Sequence, residues 1–274
     1  MSISKTAMFP KGFALLVFTV SACANEPEAV YSIDNISVPD GFQISELADV
    51  PNARSMAMGD EGTLFVSSRG AGHLHAVRDA LGPNPEVIQI ASDLRFPNGI
   101  AFRDGDLYIA EAERVLKLAD IESRLDAPGE PEVVVPELRA GKQHAWKYLA
   151  FGPDGKLYTG IGAPCNVCDE PDYALIQRMN VDGSELEVVA RGVRNTVGFD
   201  WHPVTGDLWF TDNNRDMMGD DVPPGELNQL GEVGEHFGFP FCHGANIREP
   251  EEELAALGTL SLIHISEPTR HICL

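Results

Sequence analysis

The chain is short of positive charge. Its 274 residues carry 20 Lys and Arg against 42 Asp and Glu, a net charge of −22 with pI near 4.6. Such a surface repels nucleic acid and anionic lipid, which excludes both as partners of its broad faces. An anionic ligand would need a local cationic pocket set against that background. Long apolar runs are also scarce. The run from Gly12 to Val20 is too short to span a membrane as a mature helix, and amphipathic helical patterns are nearly absent from the rest. Cysteine is sparse, five in all, with a single CxxC at Cys165–Cys168. Asp169 follows it, so it is not the CxxCH of a covalent haem.

What is present fits one large domain. At 274 residues and 43% hydrophobic content the chain is long enough to bury a sizeable core. Its N-terminus reads as an export signal. Lys5 and Lys11 precede Gly12–Val20, and Val20-Ser21-Ala22-Cys23 resembles a bacterial lipobox. The expected division is a lipoprotein signal peptide at 1–23, a tether at 24–39 and the folded body at 40–247. Cys23 is then the lipidated mature N-terminus, anchoring the protein in the cell envelope with its body facing the periplasm. Residues 248–274 read as an acidic segment followed by TLSLIHISEPTRHICL, which looks like translated vector sequence.

The body repeats. Gly-x-Leu-aromatic occurs at Gly62-Leu64-Phe65, Gly105-Leu107-Tyr108, Gly155-Leu157-Tyr158 and Gly206-Leu208-Trp209, with leucine intervals of 43, 50 and 51. Each Gly closes a turn between an apolar run and an alternating run, and periods of this length belong to propeller blades. Third strands are expected at 73–77, 114–118, 174–179 and 226–230. The fold class is therefore all-β, a β-propeller with about four blades in this chain.

The repeat also points to a site. Aligning Met58, Phe102, Phe151 and Phe199 as the ends of the first runs puts Arg54, Asn98, Lys147 and Asn195 four residues earlier. These polar residues should ring one end of the central channel, because the first strand of a propeller blade lines it. One step further back stand Ala53, Pro97, Trp146 and Arg194. His144 lies just outside the ring, and a neutral imidazole at a pocket mouth suits a general base. The loop after Thr211 is dense in oxygen donors, with Asp212, Asn214, Asp216, Asp220, Asp221 and Glu226. Lacking His and Cys, it suits calcium better than zinc or copper, although its spacing is not that of an EF-hand.

Longer motifs carry a resemblance. GVRN at 192–195, GFDWHPVTGDLWFTDN at 198–213, DDVPPGELN at 220–228, HFGFPFCH at 236–243, HAWKYLAFGPDGKLYTGIGAPCNVC at 144–168 and FPNGIAF at 96–102 resemble the sorbosone dehydrogenase-like relatives of soluble pyrroloquinoline quinone (PQQ) dependent aldose dehydrogenases. The resemblance covers roughly 40–244. It implies a propeller that closes as six blades, with PQQ and calcium as cofactors. It implies oxidation of a sugar or sugar aldehyde, with electrons passed to a periplasmic acceptor. His144 falls where these enzymes carry the base that takes the substrate hydroxyl proton. Arg194 and Asn195 fall on their cofactor- and substrate-facing pair, with Asn98 and Lys147 among the residues expected at the cofactor. A guanidinium beside a quinone carbonyl would stabilise the charge developing there. One calcium would bridge cofactor and protein, largely through backbone carbonyls. The blades beyond this chain would carry further basic residues for PQQ, so the truncated chain is expected to be impaired.

Alternatives remain at this stage. Cys165 and Cys168 suit a structural disulfide, while either could pair instead with Cys242, and a redox pair or a metal site would use the same residues. A calcium-dependent lactonase-type propeller hydrolase would want carboxylates in the channel ring, where this sequence offers Arg, Asn, Lys and Asn. A non-catalytic interaction propeller would need none of His144, Arg194 and Asn195.

Overall fold

The computed structural model describes residues 33–251 and 272–273. The export signal, Cys23 and most of the expected tail lie outside the described residues. The chain divides into two compact units at Glu46/Leu47. The described part of the first holds a short 3-10 turn, Ile33–Asn35, and otherwise exposed irregular chain.

The second unit is built of antiparallel sheets in chain order. Blade 1 comprises β1 (Met56–Met58), β2 (Leu64–Ser68), β3 (His73–Arg78) and β4 (Glu86–Ala91). Blade 2 comprises β5 (Ile100–Arg103), β6 (Asp106–Ala110), β7 (Val115–Leu118) and β8 (Glu132–Val135). Blade 3 has β9 (Leu149–Phe151), β10 (Leu157–Ile161), β11 (Leu175–Met179) and β12 (Glu187–Arg191), with the two-residue β16 (Glu235–His236) added parallel to β12. Blade 4 has β13 (Phe199–Trp201), β14 (Leu208–Asp212) and β15 (Glu226–Gln229), against which β19 (Ile272–Cys273) pairs. A small hairpin, β17 (Cys242–His243) with β18 (Ile247–Arg248), follows β16 in the chain. This is a four-blade β-propeller arrangement, and all four expected third strands form within a residue or so of the expected bounds.

The repeat motif explains the stacking. Gly105 and Gly155 take φ of +86° and +78° in the turns before the second strands of their blades, a region that a Cβ penalises. In the strand that follows, Leu and the aromatic point to opposite faces. The leucine packs against the preceding blade and the aromatic against the next. Phe65 and Leu107 share the core between blades 1 and 2. Tyr108 and Leu157 share the next seam, and Tyr158 and Leu208 the one after. The aromatics lock in the same register each time, Phe65 on Phe102, Tyr108 on Phe151 and Tyr158 on Trp201, with ring centroids 5.6, 5.1 and 4.9 Å apart.

That register corrects the alignment of blade 4. Leu208 pairs with Trp201, as Leu157 pairs with Phe151 and Leu107 with Phe102. Trp201, not Phe199, is the equivalent residue, so Val197 takes the fourth position before it and Asn195 lies two residues upstream. Phe199 and Trp201 stand two apart on one strand, and an apolar alternation of period two is unchanged by a two-residue slip.

Candidate functional site

Residues at the starts of the four first strands share one cavity, and of the four expected to ring the channel Arg54 and Asn98 line it while Lys147 and Asn195 do not. A cavity of about 220 Å³ is lined by Arg54 and Ser55 from blade 1, Asn98 from blade 2, Trp146 and Tyr148 from blade 3, and Thr196 and Val197 from blade 4. Asn98 is buried. Its Nδ2 donates to the Lys147 carbonyl at 2.8 Å, while its Oδ1 has no partner. Lys147 is 1% exposed, and its ammonium donates to the Ala145 carbonyl at 2.8 Å, its one hydrogen bond among the described residues. No carboxylate accompanies it, so burial alone drives its pKa down to about 8.

His144 is held beside the exit of β10. Its Nδ1 lies 2.7 Å from the Ala163 carbonyl, so Nδ1 carries the proton and Nε2 keeps its lone pair. The Ala163 N–H in turn donates to the Arg194 carbonyl at 2.8 Å. One peptide unit thus ties His144 to the Arg194–Asn195 segment. Gly162 makes the approach possible. A Cβ there would lie 2.5 Å from the His144 Cβ and 3.3 Å from the Asn195 Oδ1. His144 itself sits at φ +50°, a left-handed conformation uncommon outside glycine and concentrated at functional sites. Half-burial, reinforced by the Arg194 charge, lowers its pKa below the usual histidine value, against the opposing pull of the Ala163 hydrogen bond and Asp216. The imidazole is therefore neutral near pH 7 and competent as a base.

Arg194 behaves differently from the sequence expectation. Its side chain is 2% exposed and all five of its N–H groups are used. Nε donates to Asn166 O, Nη1 to Asn213 O and Asn214 O, and Nη2 to Asn166 Oδ1 and Asp216 Oδ2, at 2.8–3.1 Å. No donor remains for a quinone carbonyl, so Arg194 acts here as a clamp and as a fixed positive charge. Asn166 belongs to the ring closed by the Cys165–Cys168 disulfide. This bond selects one of the alternatives open in the sequence and leaves Cys242 outside it. Asn166 as a partner of Arg194 was missed from the sequence; its position inside the CxxC was the available signal.

The oxygen-rich loop is organised by the same clamp. Asp212 is 2% exposed and accepts from the Arg194 and Asn195 N–H groups at 3.0 and 2.7 Å. Burial pushes its carboxyl up to about 8, and Glu226, opposite it in the β14–β15 register, acts in the same direction. Asn214 donates to Pro224 O and Asp216 accepts from Arg194. Glu226 accepts from Asn228 at 3.1 Å, and Asp220 and Asp221 are exposed. Among the described residues no three or more His, Cys, Asp and Glu side chains gather to hold a metal. Of the six side chains offered as calcium ligands, Asp216 lies on the Arg194 guanidinium, Asp212 on the Arg194 and Asn195 backbone N–H groups and Asn214 on Pro224 O, so the structure does not bring the six together around one point.

The TrAA12-like family profile matches residues 36–259, which spans all four blades and the His144–Arg194 site. The chain belongs to the TrAA12-like family. Solved propellers agree with that membership in fold. A Trichoderma reesei carbohydrate-active enzyme of family AA12 superposes with TM-score 0.65 at 19% identity, over 78% of this chain and 63% of that one. The PQQ domain of Coprinopsis cinerea pyranose dehydrogenase, in its holo form, gives 0.65 at 17%, over 79% and 60%. The PQQ-bound aldose sugar dehydrogenase of Streptomyces coelicolor gives 0.55 at 22%, over 74% and 67%. An uncharacterized protein of Borreliella burgdorferi is 28% identical over 252 residues. The match takes in 84% of this TrAA12-like chain but 62% of that relative's length.

Proposed function

We propose that this chain is the propeller of a PQQ-dependent oxidoreductase that oxidises a sugar or sugar aldehyde, with His144 as general base. The observation that carries the reading is the His144 imidazole, neutral, with Nδ1 fixed on the Ala163 carbonyl and Nε2 left for a substrate. The residues suit an anionic quinone. Lys147 is a buried cation with two N–H groups unspent, and Asn98 Oδ1 is a buried polar atom without a partner. Asn98, Lys147 and Asn195 would hold the group, with Arg194 behind them as a fixed positive charge. When bound, PQQ supplies the two-electron acceptor that the polypeptide lacks.

The chain's own part is proton handling and orientation. His144 Nε2 takes the proton of the substrate hydroxyl, and the Ala163 carbonyl stabilises the imidazolium that forms. Asn195, held by Asp212 through its backbone, faces the same space as His144 across Gly162. In this proposal the protein is exported, held by lipid on Cys23, and passes electrons to a periplasmic acceptor; the support is the Val20–Cys23 sequence.

The test is a dye-linked oxidation assay with PQQ and a panel of aldoses. Positioned general bases contribute typically about 10²–10⁴-fold, so His144→Ala should lower turnover by about that factor while quinone binding persists. The acidic limb of kcat/KM should fall below pH 6.5, since activity disappears only as pH drops through the lowered His144 value. Near-normal turnover of His144→Ala at saturating PQQ would place the base elsewhere. Lactone hydrolysis without dye reduction would favour a hydrolase.

A further inference from the structure

We propose that a cavity between blades 2 and 3 is a second sugar-ring subsite, built to take a uronate-type pyranose of an oligosaccharide. The assignment rests on the sugar-oxidoreductase reading above. The cavity has a volume of about 530 Å³, within the roughly 300–1,000 Å³ of small-ligand sites. Its walls are the Arg95–Phe96 turn, the segment after β6 and residues 140–146, the stretch that carries His144. Trp146 lines both this cavity and the channel cavity, so the two share a wall.

The walls are fixed in advance. Glu111 is 1% exposed and accepts from the Arg95 N–H at 2.5 Å and from the Arg114 guanidinium. The Ala112 N–H closes the turn onto Arg95 O. These bonds set the backbone of Phe96, whose φ is +53° and whose side chain is displayed, 61% exposed for the residue. A left-handed conformation is costly for a bulky residue, and Pro97 narrows the backbone of Phe96 further. An exposed ring returns little packing energy against that strain, so packing of the ring does not account for its placement. Trp146 is held by the Arg69 guanidinium, 4.2 Å from its ring centroid, which leaves one indole face for a ligand.

The polar groups select the ligand class. Arg95 pairs with Glu113 at 3.0 Å and Arg114 with Glu111. Lys142 has no ion-pair or hydrogen-bond partner among the described residues, and it lies on the wall of the cavity. In a chain of net charge −22 this is a local surplus of positive charge. Two aromatic rings suit the C–H face of a pyranose, the paired charges suit its hydroxyls, and Lys142 suits a ring carboxylate. Ala145 and Trp146, the next residues after His144, line this cavity, so a ring held at His144 has it as a neighbour along the same segment.

The experiment is calorimetric titration of the cofactor-free protein with trigalacturonate and with maltotriose. Trigalacturonate should bind saturably and more tightly than maltotriose, and Lys142→Met should remove the difference. Phe96→Ala and Trp146→Ala should each weaken binding about tenfold, the factor expected when roughly 1.4 kcal/mol of ring contact is lost, and Phe96→Tyr should restore it. Phe96→Gly separates function from folding. It relieves the left-handed strain, so the variant should melt no lower than the parent while binding as weakly as Phe96→Ala. Absence of saturable binding by either trisaccharide, or unchanged binding by Phe96→Gly, overturns the subsite. Because no turnover is measured, a protein that binds but never oxidises sugar refutes the oxidoreductase reading alone. A protein that oxidises monosaccharides but binds neither trisaccharide refutes the subsite alone.

Discussion

Lys147 shows what a single buried charge does. It is a cation sealed in a protein wall with one carbonyl for company, and desolvation lowers its pKa to about 8. The sign follows directly. Below pH 8 the folded protein holds a buried charge and carries the full cost of desolvating it; that cost declines progressively as pH rises from about 8 to 10.5, the window in which the unfolded chain is protonated and the folded one is not. In the proposed reading, an anionic quinone beside Lys147 would offset the same cost. Affinity for PQQ should therefore fall as pH rises past about 8, and Lys147→Met should be weaker throughout and lack that dependence. Fluorescence quenching titrations at pH 6.5 and 9 would read the difference; equal affinities in the parent protein would remove Lys147 from the cofactor site.

At the scale of elements, the site depends on loops tied together by Arg194. The guanidinium joins the disulfide ring at 165–168 to the loop after β14, and its backbone passes the constraint through Ala163 to His144. Removing the guanidinium strands the buried neutral oxygens it caps, a change of about 1–3 kcal/mol, while the exposed Asp216 keeps its hydration. Arg194→Met should lower urea-unfolding stability by about that amount. Asn166→Ala should cost less but loosen the same loops, seen as altered ring ¹⁵N shifts of His144, and Asn166→Asp, which keeps the acceptor, should restore them. An Arg194→Met variant as stable as the parent would mean that the clamp is not formed in solution.

For the whole molecule, the chain is strongly acidic at a net charge of −22, while Arg95, Arg114 and Lys142 outnumber Glu111 and Glu113 by one on the wall of the larger cavity. No described helix is long and apolar enough to cross a membrane. In the lipid-anchored reading proposed above, attachment to the envelope would rest on the Val20–Cys23 segment. Cys23→Ala should move the protein from the membrane fraction to the soluble fraction on cell fractionation, and a variant that stays membrane-bound would refute the lipid anchor.

The sequence by itself determined the blades. A Gly-Leu-aromatic repeat specifies a turn, a strand and the two faces of that strand, and these local facts suffice to stack one sheet on the next. It also put Arg54 and Asn98 at the channel cavity, because strand starts follow from strand periodicity. It did not determine the register of blade 4, where Phe199 and Trp201 obey the same period-two pattern and only the Tyr158–Trp201 contact chooses between them. Nor did it show where Arg194 points. An arginine beside an acidic loop reads equally as a ligand-binding fork or as a clamp. The tertiary structure decided it by bringing the carbonyls of Asn166, Asn213 and Asn214, distant in the chain, around one guanidinium. Backbone oxygens carry no side-chain signature, so only the fold reveals which cation they surround.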